Sequence, residues 1–135
     1  MNRQEFHQLM ANAKQESGIS TSAISFELKM LLPTLRRFEK GTNNSNMKKI
    51  FDYLRVIDSC LLLNNTKKLH NYDELVDWLV TFRTNKYSQR QLADKIGVAY
   101  LTIANIERKA TVMSLDTFLK ITEIGDVEIK ILNDN

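Results

Sequence analysis

The sequence predicts an all-α fold made of two tandem helical units, each followed by a short β-strand. The chain has 135 residues, enough for two small units of about sixty-five residues each. Its 43% hydrophobic and 26% charged residues, with only four Gly and one Pro, are typical of a globular protein and exclude a turn-dense all-β chain. Apolar residues recur with the i, i+3, i+4, i+7 spacing of amphipathic helices, and the same pattern occurs twice.

An internal repeat indicates the domain organisation. Adding 68 to a residue number aligns apolar positions without a gap across roughly forty residues, for example Ile24 with Leu92 and Phe38 with Ile106. Upstream the offset becomes 69, and two apolar stripes of the same spacing align: Phe6, Leu9, Met10 and Ala13 with Leu75, Trp78, Leu79 and Phe82. We therefore expect a basic first repeat at 1–64, a linker at 65–71 and a second repeat at 72–135.

Helix boundaries follow from cap signals. Asn2 to Glu5 and Asn71 to Glu74 open the first helix of each half, because an Asx cap is followed by Glu at the third helical position. Ser88 to Gln91 is a capping box for the next helix of the second half, and Gly97 is its natural C-cap.

The remaining elements follow the same logic. A short helix with Ile103 and Ile106 on its apolar face should end near Lys109, where the first half has Gly41. Ser114 and Asn46 are expected to cap the last helix of each half. Val127 to Leu132 alternates apolar and polar residues like a half-exposed strand, and Ser59 to Leu63 occupies the matching place.

Several functional classes are disfavoured by residue type and spacing. No apolar run approaches the roughly 20 residues of a membrane span, so we expect a cytoplasmic protein without a membrane partner. Cys60 lies among leucines and is expected to be a buried thiol. His7 and His70 have no Cys or carboxylate neighbours at ligand spacing, which predicts no metal and no cofactor. No catalytic constellation occurs, so an enzyme is not expected.

Charge is distributed unevenly. Residues 1–70 carry eleven basic and six acidic side chains, whereas residues 71–135 carry eight and ten. Six of the basic side chains fall within residues 29–49, where Glu39 is the single acidic one. Such a basic stretch is typical either of a solvated surface or of a surface that meets a polyanion.

The segment SQRQLADKIGVAYLTIANIE, Ser88 to Glu107, closely resembles the Cro and phage-repressor (XRE-type) helix-turn-helix family. Ser-Gln opens the second helix, Ile-Gly-Val makes the turn, and Thr-Ile with Ile-Glu marks the third, recognition helix. The first half resembles the same family more faintly through Ile24, Leu28, Thr34-Leu35 and Phe38 to Gly41. It departs from the family at three positions: Thr21, Lys29 and Pro33.

The resemblance implies two tandem five-helix lambda-repressor-like units, each placing its recognition helix in the major groove of double-stranded DNA. Base-reading positions of the family fall on Tyr100, Leu101 and Asn105, and on Leu32, Pro33 and Arg37. Expected phosphate contacts are Ser88, Gln89, Arg90, Lys109 and Thr111 in the second half, and Ser20, Thr21, Lys40, Asn43, Asn44 and Lys48 in the first. Arg36 and Arg37 are expected to contact a phosphate or a base, and Arg108 is also expected to contact DNA. The family's ion pair between the first and third helices maps to Arg83 with Glu107 and to Lys14 with Glu39, and we expect both pairs to be structural.

The resemblance thus implies a sequence-specific transcriptional regulator, and more narrowly a repressor. Two alternatives stay open: the antitoxin of a toxin-antitoxin pair, which would also hold a toxin protein, and an interaction module that has lost DNA binding. The strands Ser59 to Leu63 and Val127 to Leu132 are expected to pair, because bare apolar edges are unfavourable. Pairing within the chain would give an intramolecular dimer, and pairing between chains a homodimer.

Overall fold

The computed structural model describes residues 1–134, and within them the chain forms eight α-helices and three β-strands. The first half contains α1 (Arg3–Ser17), α2 (Thr21–Leu28), α3 (Leu32–Lys40), α4 (Met47–Val56), β1 (Ser59–Leu63) and β2 (Lys67–Leu69). The second half contains α5 (Tyr72–Thr84), α6 (Gln89–Ile96), α7 (Tyr100–Glu107), α8 (Leu115–Ile124) and β3 (Ile129–Asn133). None of these helices is long and apolar enough to cross a membrane.

Five of the helices begin where the cap signals predicted, and Ser20 adds a sixth cap that was not predicted. The side chains that accept a hydrogen bond from the third backbone N–H of their helix are Asn2, Ser20, Asn46, Asn71, Ser88 and Ser114. Asn2 and Ser88 form complete capping boxes. In α3, Pro33 lies in the first turn, where the missing N–H costs no helical hydrogen bond.

The expectation of five helices in each unit is wrong, because the described part of each half contains four. After α4, Asp58 adopts a positive φ of 54° and turns the chain directly into β1. Asp126 does the same after α8, also with φ 54°. The chain therefore passes from the fourth helix of each half to the predicted strand without a fifth helix between them.

Left-handed backbone positions recur at the repeat offset of 68. Gly97 ends α6 with φ 74°, and Lys29 ends α2 with φ 54°. Gly41 has φ 73°, and its counterpart Lys109 has φ 63°. At each of these two turns, one half has glycine where the other half has lysine. The positive φ is kept although the side chain differs.

The three strands form one sheet in the order β2-β1-β3. β1 and β3 pair antiparallel within the chain, with Leu61 opposite Ile131 and Leu63 opposite Ile129. As expected, these four side chains share a face; three are buried and Ile131 is half-buried. β3 begins at Ile129 rather than Val127, because residues 125–126 form a turn just before it.

The segment expected to be a linker, 65–71, instead contains β2. Asn64 and Asn65 both have positive φ, 52° and 59°, which is the conformation that tight hairpin turns require. The N–H of Thr66 donates to the carbonyl of Leu63 at 3.1 Å and closes the turn. β2 then pairs antiparallel with β1, and Leu69 is fully buried.

The two halves also meet at the N-termini of α4 and α8. The N–H of Met47 donates to the carbonyl of Met113 at 2.8 Å, and the N–H of Leu115 donates to the carbonyl of Ser45 at 2.7 Å. Arg3 adds a bidentate contact to Asp116, with nitrogen to oxygen distances of 2.7 and 2.6 Å. One continuous hydrophobic core runs through both halves.

Candidate nucleic-acid interface

α6 and α7 form a helix-turn-helix in the second half. Gly97 makes the turn, and the N–H of Val98 donates to the carbonyl of Ala93 at 3.0 Å. Ala93 is completely buried, because the two helices cross over its small side chain. Ile103 and Ile106 fill the space beneath, so one face of α7 is anchored and the opposite face is left to solvent.

The ion pair expected between Arg83 and Glu107 is present and largely buried. The side chains are 12% and 8% exposed, and both guanidinium Nε and Nη2 donate to the carboxylate. Gln89 donates its amide to the same carboxylate at 3.0 Å. Gln89, expected at a phosphate, therefore also holds α6 against the end of α7.

The first half contains the same arrangement built from different residues. Lys14 pairs with Glu39 at 2.9 Å and also donates to the hydroxyl of Thr21 at 2.6 Å. A lysine supplies fewer directed donors than an arginine, and the hydroxyl of Tyr53 adds a hydrogen bond to Glu39. Burial and the adjacent carboxylate raise the pKa of Tyr53, so its hydroxyl stays a donor. The family motif does not include Tyr53, so the sequence did not point to it.

The exposed face of α3 is basic. Arg36, Arg37 and Lys40 all lie on the surface, whereas the one acidic residue of the helix, Glu39, is paired with Lys14. Arg37 lines a cleft of about 390 Å³ between α3 and the loop before α4. Asn43 and Asn44 line the same cleft, so three of the expected DNA contacts come together. Lys49 also borders it and was not among the expected residues.

Two of the expected contacts in the first half have other partners. Asn44 accepts the backbone N–H of Asp116 through its Oδ1 at 3.0 Å, which ties the loop to α8. Lys48 lies 5.7 Å from the ring centre of Tyr72 and lines a different cleft together with Arg55 and His70. The structure thus separates Lys48 from the Arg37 cleft.

The corresponding face of α7 is less charged. Tyr100 and Leu101 are 40% and 62% exposed at the start of the helix. The guanidinium of Arg90 lies 4.8 Å from the ring centre of Tyr100, a cation–π contact that links the starts of α6 and α7. Arg108 is exposed after the helix, and Lys109 is paired with Asp73 at 3.1 Å.

Asn105 is half-buried, and none of the described residues donates a hydrogen bond to its buried Oδ1. Reading adenine bidentately requires both the oxygen and the nitrogen of the amide. The side chain must therefore rotate outwards to act as expected.

The two histidines lie in different environments. His7 is 4% exposed, is surrounded by the aromatic edges of Phe6 and Phe38, and finds no hydrogen-bond partner for either ring nitrogen among the described residues. Burial lowers the pKa of His7. His70 is exposed, and contrary to the sequence-based expectation it has both a Cys and a carboxylate beside it, Cys60 and Asp134.

Residues 82–132 match the protein-family model described as helix-turn-helix, which covers α6, α7, α8 and nearly all of β3. No curated protein and no solved structure matches the chain. The second half is therefore similar to helix-turn-helix domains, which agrees with the geometry around Gly97 and the buried Ala93.

Proposed function

We propose that this protein is a sequence-specific regulator of transcription, more narrowly a repressor, that binds double-stranded DNA through two helix-turn-helix units in one chain. The observation that carries the proposal is the helix-turn-helix match at 82–132. The first half has a helix pair of equivalent build, and its α3 carries exposed basic side chains. These two features extend the proposal to both halves.

Duplication of the unit is supported by paired local features. Positive φ values occur at Lys29 and Gly97, at Gly41 and Lys109, and at Asp58 and Asp126, each pair 68 residues apart. Lys14 with Glu39 occupies the place of Arg83 with Glu107. Three left-handed turns and one ion pair at matching positions favour duplication over two unrelated helical segments.

A pseudo-two-fold axis between the units is supported by reciprocal contacts. The N–H of Met47 donates to the carbonyl of Met113, and the N–H of Leu115 donates to the carbonyl of Ser45. Exchanging the two halves turns one of these hydrogen bonds into the other, as a two-fold axis requires. The antiparallel pairing of β1 with β3 has the same symmetry, because exchanging the halves turns the pair of Leu61 with Ile131 into the pair of Leu63 with Ile129. The hydrogen bonds lie in the segments that join α3 to α4 and α7 to α8, so they favour a placement of α3 and α7 on either side of the proposed axis.

This arrangement suits one chain reading two half-sites. Units related by a two-fold axis reach successive major grooves when their recognition helices are about 34 Å apart. Since α3 carries arginines and α7 carries Tyr100, Leu101 and Asn105, the two half-sites should differ in sequence. Arginine favours guanine, asparagine favours adenine, and apolar side chains contact the thymine methyl group.

The test of the DNA surface is the salt dependence of binding. Full-length Arg36→Ala, Arg37→Ala and Lys40→Ala variants are titrated onto duplex DNA at several salt concentrations. If the replaced side chain binds a phosphate, the slope of log K against log salt should become shallower by about 0.9. Arg55→Ala is the matched control, because it removes the same charge from a different cleft. An unchanged slope in all three variants would remove α3 from the interface.

Base reading is tested separately at Asn105. Asn105→Ala should cost about 1 to 3 kcal/mol at a single base pair and leave binding to random duplex almost unchanged. An equal loss on every sequence would contradict a reading role for this side chain.

Exposed apolar side chains favour a second candidate, a protein-interaction surface. Phe26 and Leu31 are 81% and 76% exposed beside the turn of the first helix pair. An interaction module that has lost DNA binding would use such a surface. The two candidates separate at low salt, where such a module would fail to bind any duplex.

A further inference from the structure

We propose that Cys60, His70 and Asp134 form a binding site for a zinc-type divalent cation at one end of the sheet. The site is separate from the helix-turn-helix surface and does not depend on the proposed DNA-binding function. One donor lies in β1 and the other two directly follow β2 and β3, although the residues lie 10 and 64 positions apart in sequence.

The sheet register brings the donors together. Cys60 lies within β1, and His70 directly follows β2, whose Leu69 is opposite Leu61. Asp134 directly follows β3, whose Asn133 is opposite Ser59, and its N–H donates to the carbonyl of Asp58 at 2.7 Å. All three donor positions are therefore set by backbone pairing rather than by flexible side chains alone.

The distances between donor atoms are close to those of a coordinated ion. The Nε2 of His70 is 2.8 Å from Oδ2 of Asp134, and the Sγ of Cys60 is 3.7 Å from the same oxygen. All three donor atoms lie within 4.8 Å of one another. Tetrahedral zinc, with bonds of about 2.0 to 2.3 Å, separates its ligand atoms by roughly 3.5 Å. Small side-chain shifts would suffice: His70 and Asp134 would move apart to about 3.5 Å, and the other pairs would close only slightly.

The donor set favours zinc over harder cations. A thiolate, an imidazole and a carboxylate are all zinc ligands, whereas Ca²⁺ and Mg²⁺ prefer oxygen alone. The thiolate and carboxylate charges would neutralise the two charges of the ion. Three protein ligands leave a fourth position for water.

The surroundings of His70 fit a ligand role. Its Nδ1 faces Oε1 of Glu74 at 3.5 Å, on the side opposite the other two donors. A carboxylate behind a ligating histidine orients the ring and strengthens the ligand. Lys68 disfavours binding of a cation, because its positively charged ammonium lies 3.7 Å from the other oxygen of Asp134. Lys68 is half exposed and can move into solvent.

The ion would cross-link the three strands. Since β3 belongs to the second half and β1 and β2 to the first, the bound ion would fasten the two halves together.

The test is a Co²⁺ titration of the metal-free full-length chain, followed by displacement with Zn²⁺. We expect stoichiometric appearance of a thiolate-to-Co²⁺ charge-transfer band, loss of the band when Zn²⁺ is added, and a rise in the thermal midpoint with either ion. His70→Gln and Asp134→Ala change exposed or half-exposed side chains and should each weaken binding at least about ten-fold. Cys60→Ser should abolish the band.

Two further variants sharpen the result. Glu74→Gln should retain the band with roughly ten-fold weaker binding, because it alters only the residue behind the histidine. Lys68→Ala should strengthen binding, whereas a merely adventitious thiol site would not respond to it. Absence of the band in the wild-type protein, or a band of full strength and affinity in His70→Gln, would overturn the proposal.

Discussion

The pairing of β1 with β3 holds the two halves together, and Ile129→Asp is its most direct perturbation. Ile129 is 6% exposed and lies opposite Leu63 in the register. A carboxylate at this position would face the apolar side of the sheet. Lys130→Asp is the matched control, because its side chain is 52% exposed on the neighbouring position of the same strand.

The magnitude follows from burial. Removing a buried isoleucine side chain forfeits about 1.5 to 3 kcal/mol of hydrophobic stabilisation, and an unpaired carboxylate in an apolar site adds several kcal/mol. The combined loss of at least about 4 kcal/mol is a large share of the roughly 5 to 15 kcal/mol that stabilises a typical domain. Lys130→Asp should change the free energy of unfolding by at most about 1 kcal/mol, since it removes only an exposed pair with Glu128.

Urea unfolding followed by two probes makes the measurement. Trp78, the single tryptophan, is stacked on Phe82 at 5.3 Å and reports on the second half, whereas far-UV circular dichroism reports on all helices. The wild-type and Lys130→Asp proteins should show one coincident transition. Ile129→Asp should unfold at much lower urea or show two separate transitions. A wild-type midpoint with coincident probes in Ile129→Asp would refute the role of the strand pair.

Three other predictions concern stability and use the same urea assay. Burial lowers the pKa of His7, so the unfolded chain binds the proton more tightly than the folded chain. The free energy of unfolding should therefore fall below about pH 6.5, by at most about 1.4 kcal/mol per pH unit. A His7→Leu variant that keeps this loss would contradict the assignment of the loss to His7. Gly41→Ala should destabilise by more than Gly97→Ala, since the two have φ of 73° and 74° but only at Gly41 would the new Cβ lie 2.4 Å from the ring of His7; equal losses would argue against that contact. Arg83→Ala leaves the carboxylate of Glu107 buried without its partner and should lower the free energy of unfolding by about 3 to 5 kcal/mol. Lys109→Ala breaks an exposed pair and should lower it by under about 1 kcal/mol. Similar losses would mean that burial of the first pair is unimportant.

Much of the local structure could be predicted from the sequence because it depends on near neighbours. Asn2, Asn71 and Ser88 cap helices through residues three positions away, and this interaction is visible in one sequence window. The pair of Arg83 with Glu107 followed from the family motif.

Other features depend on partners distant in sequence and were missed for that reason. β2 contains two lysines and one buried leucine, so its strand conformation comes from pairing with β1. The Asn64-Asn65 hairpin turn was a usable signal that the linker interpretation overlooked. The cluster of Cys60, His70 and Asp134 has no informative spacing, because the sheet register alone assembles it.

The central claim is that one chain reads two half-sites, and selection of bound sequences from random duplex DNA tests it most directly. We predict enrichment of a site with two inverted half-sites of different sequence, centred about one helical turn, or roughly 34 Å, apart. A sedimentation measurement on the selected duplex should show a single bound chain. Enrichment of only one half-site, or of a symmetric site occupied by two chains, would contradict the two-unit account.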